Sequence, residues 1–582
     1  MSLPGVVVMF GQRRIAAVAF AVALAANAGA NAAPARTQPT LAPTVEPAEL
    51  ILRNGRLYSV AAPGASGSLA VRGGRIVAIG PDAEVAAFKG PKTRVIELGG
   101  RAVTPGWIDA HSHLAGLGQD LQAVDLRGAS SYDEIVRRVG AASRELPEGT
   151  WIFGRGWDQN LWSEKEFPSH VPLSHATPRN PVWLTRIDGH AVLMNALAMS
   201  RLEVASATPD PSGGRFLRSA DGQLTGVAVD GAMSLAAERL PGPTDDEVRR
   251  SLRRAADTAV SLGLTTVTDM GVGAQVLAAY EALAPDLPLR VAAFLSDEAD
   301  LHRAWFARGP LIHPSGKLTV RGVKLYADGA LGSRGAALIE PYADDAANLG
   351  LLTASTDHLT EVARAATAAG FQVGVHAIGD RGNLVALDAL ERALGGARPA
   401  ARCRIEHAQV MRLQDIDRLA RLGIIASVQP THATSDMPWA EARVGARRIE
   451  GAYAWRRLIN AGARLALGSD FPVESVDPLL GLYAAVTRRD VRGEPAAGWR
   501  AAEKLTRDEA LRGFTLDAAY SLFLDTEVGS LEVGKKADLV VFDRDPMSVP
   551  EAEILAIKVD LTLVDGRVVF ERGVKKPAQA RK

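Results

Sequence analysis

Cysteine is nearly missing from this chain: Cys403 is the one thiol in 582 residues. That excludes an intramolecular disulfide and any cysteine-rich zinc module, and it leaves His, Asp, Glu and Lys as the available metal ligands. Cys403 itself precedes the end of an apolar strand and reads as buried and inert. An excess of charge of either sign is missing too, with 66 Lys plus Arg against 66 Asp plus Glu. No strong field then favours nucleic acid, an anionic membrane surface or a polyanion, so the expected partner is a small, weakly charged substrate. Beyond the amino terminus no stretch is long and apolar enough for a membrane helix, so the mature protein is expected to be soluble.

The amino terminus carries Arg13-Arg14, an apolar run over 15–26, and Ala30-Asn31-Ala32 ahead of Ala33-Pro34. This pattern reads as a secretory signal peptide over residues 1–32 and implies a periplasmic or secreted protein. The run is short for a bilayer span, which makes a membrane tether by an uncleaved signal the lesser alternative. Residues 33–46, rich in Pro, Ala and Thr, read as a flexible leader, and 576–582 as a tail.

A chain this long should hold a large catalytic core and accessory modules. Short β-like runs broken by Gly, Asn and Pro occupy 47–102 and return, after a helical stretch, within 516–575; one β-sandwich built from both chain ends is expected. Between them, apolar runs at 103–109, 265–270, 289–295, 318–326, 372–377, 403–407, 424–429 and 464–469 alternate with amphipathic stretches at 245–262, 358–369, 383–394, 413–422 and 452–461. Eight such βα units predict an α/β protein with a (β/α)8 TIM barrel over 103–114 and 245–515. Residues 115–244 exceed what a βα loop needs and read as a subdomain inserted at the catalytic rim, where it would set substrate specificity. Its tryptophans, Trp151, Trp157, Trp162 and Trp183, either line a pocket or form the insert's own core; Trp157 is a candidate substrate contact.

The first barrel strand runs into "TPGWIDAHSHLAG", placing His111 and His113 two apart, so that in extended backbone both imidazoles project to one side. The fifth run ends in "FQVGVHAIGD" with His376, the sixth in "CRIEHAQV" with His407, and the eighth in "RLALGSDFPV" with Asp470. All lie at carboxyl ends of strands, where barrel active sites sit. Lys324, in "TVRGVKLYADGALGS", interrupts an apolar stretch; a buried ammonium should lose its proton, and the neutral amine can take up carbon dioxide to give a carbamate that bridges two cations. His432, in "SVQPTHATSD", Asp188 and His190, in "LTRIDGHAVLMN", and Arg334, in the loop after Lys324, are weaker candidates for substrate contact. His170, His175, His302, His313 and His358 read as surface residues without a role.

The order HxH, Lys, His, His, Asp with flanking β segments resembles the amidohydrolase superfamily. "TPGWIDAHSH", "GVKLYADGALGS", "HAIGD", "IEHAQ" and "LGSDFPV" are similar to its YtcJ-like branch, amidohydrolase family 3, which includes N-substituted formamide deformylases. The resemblance implies two divalent metals, with zinc expected: His111, His113 and Asp470 on one, His376 and His407 on the other, and N6-carboxylated Lys324 between them. It implies hydrolysis of an amide-type C–N bond of a small substrate by metal-bound hydroxide, with Asp470 as the catalytic proton carrier. An ester or phosphoester hydrolase on the same site, and a silent binding or regulatory protein, are the alternatives. A homodimer is expected on base rates alone.

Overall fold

The computed structural model describes residues 45–60, 64–186, 191–211, 214–332 and 334–574. The expected signal peptide, most of the leader, the tail, Asp188 and His190 lie outside the described residues. Among those described, no helix is long and apolar enough to cross a membrane.

Eight parallel strands form the central sheet: β1 (Trp107–Ser112), β2 (Leu264–Val272), β3 (Arg290–Leu295), β4 (Leu318–Tyr326), β5 (Gln372–Ala377), β6 (Arg404–His407), β7 (Ile425–Val428) and β8 (Leu465–Leu467). Each pairs with the next, from β1 to β8. Just past the strand ends the ring is drawn together by Asp470 N–H donating to His111 O at 2.7 Å and His113 N–H donating to Phe471 O at 2.8 Å. The sheet is thus a nearly closed TIM-type barrel, with helices over its outer face.

Side-chain alternation explains the two layers around it. In β5, Val373 and Val375 join the apolar layer against the helices, while Gln372, Gly374 and His376 share the other parity. A Cβ on Gly374 would come within 2.5 Å of Glu406 Oε1, so only glycine leaves room there for the β6 carboxylate. Ile108, Phe294, Ile425 and Ala466 form a separate cluster with Ala518 and Leu522 of the segment that follows the barrel. The helices end where their sequence dictates. Asp245–Ser261 opens on a Thr244–Glu247 capping box, and Leu413–Leu422 stops at Gly423, in the left-handed conformation at φ 68°.

The segments before and after the barrel meet in one eight-stranded sheet, through Ala102–Pro105 pairing antiparallel with Leu539–Phe542. Its leucines and valines, among them Leu52, Leu69, Val103, Leu539 and Leu563, form a single cluster. The run read as one strand over 103–109 is therefore two. Ala102–Pro105 belongs to this sheet and Trp107–Ser112 to the barrel, and they part at Gly106, where a Cβ would strike the Thr265 side chain at 2.2 Å. A third sheet, of six strands between Val124 and Asp230, leaves the barrel from the carboxyl end of β1 and carries its own core.

Candidate metal centre

The carboxyl ends of β1, β4, β5, β6 and β8 bring His111, His113, Lys324, His376, His407 and Asp470 together. His113 Nε2 and His111 Nε2 lie 3.1 and 3.4 Å from Asp470 Oδ1. The His407 ring centroid is 4.7 Å from that of His111 and 4.5 Å from that of His376. Lys324 Nζ stands 3.3 Å from His111 Nε2 and 5.1 Å from the centre of the Tyr326 ring.

Two of these residues reach the centre by leaving ordinary strand geometry. Arg404 and Glu406 share one parity of β6, so plain alternation would send His407 the opposite way; its φ of 71° re-aims it. Asp470 likewise sits at φ 63°. Non-glycine residues hold such conformations at a cost of about 1–3 kcal/mol, and they gather where function over-determines the backbone.

Three imidazoles are locked in one orientation by a partner on Nδ1: Glu406 Oε2 for His111 at 2.6 Å, Met270 O for His113 at 3.0 Å and Gln429 Oε1 for His407 at 2.9 Å. An acceptor on Nδ1 fixes the proton there and turns the Nε2 lone pair inward, the arrangement that metal-binding histidines need. Burial lowers the pKa of His111, that of His376 down to about 3, and that of His407 well below the ordinary value, so all three are neutral donors. Burial alone would raise the pKa of Asp470, but the imidazoles that crowd it, His111 first, outweigh burial and hold it well below the usual carboxylate range. Burial pulls Lys324 down to about 8, which keeps a neutral amine accessible.

His376 Nε2, His432 Nε2 and Asp470 Oδ1 are buried with no aligned hydrogen-bond partner. Buried polar atoms left unmatched cost about 1–3 kcal/mol each. Buried imidazole nitrogens around an ionised carboxylate fit divalent cations, which would satisfy His432 Nε2 and Asp470 Oδ1. The ligating atoms of His111, His113 and Asp470 lie within 4.8 Å of one another, and so do those of His407, His432 and Asp470.

The weaker candidates divide. His432 is nine per cent exposed and faces Asp470 Oδ2 at 3.6 Å, at the centre rather than in a loop beside it. Trp157 lies in the core of the insert, its Nε1 donating to Leu184 O at 2.7 Å and its ring stacked on Trp162; it is a packing residue. Arg334 donates to both oxygens of Asp344, a carboxylate that Arg443 also holds, so it is not free to clamp a ligand. His302, read as a surface residue, is buried and stacked on Phe306 at 5.2 Å.

Sequence reasoning missed the supporting layer. Glu406, fully buried, accepts from Arg404 Nε and Nη2 at 2.7 and 2.9 Å as well as facing His111. Asp109 accepts from Ser469 Oγ at 2.6 Å and from the Ser469 and His111 N–H groups, joining β8 to β1; burial raises its pKa to about 7. Asp328 accepts from the N–H groups of Ala337, Ile378 and Gly379 behind His376. The signal for Glu406 was present: "RIE" places two charged residues at alternate positions of an apolar strand, on its inward parity.

A model described as "Amidohydrolase family" matches residues 94–570. The chain is 35% identical to Protein LONG AFTER FAR-RED 3 of Arabidopsis thaliana over 90% of its length and 92% of that protein's. It is 32% identical to the putative amidohydrolase YtcJ of Bacillus subtilis over 83% of its length and 92% of that protein's. It is 27% identical to an N-substituted formamide deformylase of Arthrobacter pascens, covering 86% and 94% of the two chains. A solved structure of an uncharacterized metal-dependent hydrolase from Pyrococcus furiosus matches with a TM-score of 0.73 and 30% identity, over 86% of this chain and all of that one. The chain belongs to the amidohydrolase family, in its YtcJ-like branch, and is a hydrolase with a metal-binding site.

Proposed function

We propose that the protein hydrolyses an amide-type C–N bond of a small substrate at a centre of two divalent metals, zinc being the expected ion. The observation that carries this reading is the set of buried imidazoles converging on ionised Asp470, with unpartnered buried atoms that a cation would satisfy. His111, His113, His376, His407 and Asp470 would hold the ions, and Lys324, with its pKa lowered to about 8, is suited to carboxylation as a bridge. Bound there, divalent cations acidify water and polarise the carbonyl under attack.

The residues of the chain supply the rest. Glu406, Gln429 and the Met270 carbonyl keep the imidazoles in register. Asp470, ionised, takes the proton of the attacking water on a carboxylate oxygen and delivers it to the leaving nitrogen as the C–N bond breaks. That the Arthrobacter relative is an N-substituted formamide deformylase supports the choice of C–N over ester cleavage. The insert leaves from the strand end that carries His113 and is proposed to shape the substrate pocket. The basic and apolar pattern of residues 1–32 supports export.

The experiment is a panel of N-formyl and N-acyl amines, cyclic amides, carboxylic esters and phosphoesters, run on purified protein before and after chelation. Turnover of an amide that is lost on chelation and restored by zinc, manganese or cobalt is expected. Exclusive turnover of esters or phosphoesters would replace the C–N assignment, and amide turnover that survives complete metal removal would overturn the mechanism.

A further inference from the structure

Asp470 offers its two oxygens to different neighbours. Oδ1 faces His113 Nε2 at 3.1 Å and His111 Nε2 at 3.4 Å, while Oδ2 faces His432 Nε2 at 3.6 Å. A separation of 3.6 Å is beyond a hydrogen bond, and His432 Nε2 has no hydrogen-bond partner although it is buried. Two ligands on one tetrahedral cation, each about 2.0–2.2 Å from it, stand about 3.4 Å apart. The three separations around Asp470 have that size.

The backbone aims His432 at this place for a local reason. It lies in the first turn of the helix Pro430–Asp436, which starts directly after β7 with proline at its first position, where the missing N–H is no loss. Gln429, the residue that caps this helix, accepts from His407 Nδ1, and three positions later the His432 ring lies nearly parallel to that of His407, with centroids 5.7 Å apart and an interplanar angle of 18°. One helical turn thus fixes the first imidazole and sets the second beside it. Asp436, a further turn along, is held by Tyr453 Oη–H at 2.7 Å and Gln409 Nε2–H at 3.1 Å, which anchors the far end of the helix.

We infer that His432 is a metal ligand: His111, His113 and Asp470 Oδ1 form one set, and His432 joins His407 in the other, on the side that Asp470 Oδ2 faces. This assignment rests on the reading of the site as a metal centre. It adds a ligand from the β7 end to those of β1, β6 and β8, and it leaves Asp470 Oδ2 beside the second set, able to take a proton. His376 remains a further nitrogen beside the second set.

The test is metal binding rather than turnover. Purified wild-type protein and the His432→Ala variant are stripped with chelator, reloaded with zinc or cobalt(II), and assayed for equivalents bound per chain and for the affinity of each. Wild type is expected to bind two equivalents, and His432→Ala to retain one with the second weakened by more than about 10-fold, the low end for loss of a group that supports a metal ligand. A His432→Cys variant guards against a folding defect, because it should regain the second equivalent and, with cobalt(II), show a thiolate-to-cobalt charge-transfer band that wild type, whose one thiol is buried Cys403, lacks. Two equivalents held by His432→Ala with unchanged affinity, or a folded His432→Cys protein loaded with cobalt but lacking the band, would overturn the assignment while leaving the metal centre intact. A wild-type protein that binds no divalent metal would instead sink the hydrolase mechanism itself.

Discussion

Glu406 sits between a guanidinium and an imidazole, with no exposed surface on any of the three side chains. Burial opposes its ionisation, and Arg404 and His111 outweigh that, holding its pKa well below the usual carboxylate range. Replacing it by Gln keeps the shape and one acceptor but removes the charge, so Arg404 keeps Ala110 O, Ser521 Oγ and Ser427 Oγ and loses its ionic partner. Removing one partner of a buried pair costs about 3–5 kcal/mol, and loss of an orienting partner weakens metal binding about 10–100-fold. Glu406→Gln is therefore expected to unfold at markedly lower denaturant concentration and to bind zinc more weakly; an unchanged unfolding midpoint would show that the carboxylate is dispensable to Arg404. At this scale the sequence was readable where chemistry and strand position coincide, as for His376, His407 and Asp470. It was unreadable where a role exists only through a distant partner: Glu406 and His111 are 295 positions apart, and nothing in either segment points to the other.

At the scale of elements, the short strand β8 has to meet β1 closely enough to bring Asp470 to the histidines. Gly468 permits it. A Cβ there would lie 2.6 Å from both Asp109 Oδ1 and His111 N, and 3.0 Å from His111 O. Gly468→Ala must push β8 away from β1 and strain the Ser469–Asp109 contacts. Overpacking of this kind costs about 1–3 kcal/mol, and a misplacement of about 1 Å at a reacting group can lower the rate about 100-fold. The variant is expected to lose much more turnover than stability, with kcat falling and the melting temperature reduced by a few degrees; wild-type kcat would mean the closure tolerates the methyl group. Runs of alternating β and α texture made most of the barrel legible, since periodicity is a local property. The break at Gly106 was not, because Ala102–Pro105 and Trp107–Ser112 are both apolar and extended, and what separates them is which remote strand each one pairs with: Leu539–Phe542 or Leu264–Val272.

For the whole molecule, the barrel is tied to the sheet of the chain ends by an ionic knot beneath β3. Arg290, at the start of β3, donates to Asp538 at 2.9 and 3.0 Å and pairs with Asp565, which also holds Lys317 at 2.8 Å and Lys536 at 3.2 Å. Burial would raise the pKa of Asp565, but the charges of Arg290 and Lys317 prevail and lower it. A carboxylate whose pKa is depressed by folding binds its proton more readily when unfolded. Its contribution is therefore complete at pH values above the unfolded carboxylate pKa, about 3.9, and drains away as the pH falls from there toward the lower folded value. Melting temperature is expected to drop steeply below about pH 4. Asp565→Asn should lower it at neutral pH, because three cations lose a shared partner, and should flatten the acid limb, because the group that took up the proton is gone. Melting curves for both proteins between pH 7 and pH 3 decide the matter: parallel acid limbs would place the sensitivity in other carboxylates. That the two chain ends share a β-domain was legible from their texture alone, whereas the knot joining that domain to the barrel was not, because Arg290 and Asp565 are separated by 275 positions and look, in sequence, like ordinary surface charges.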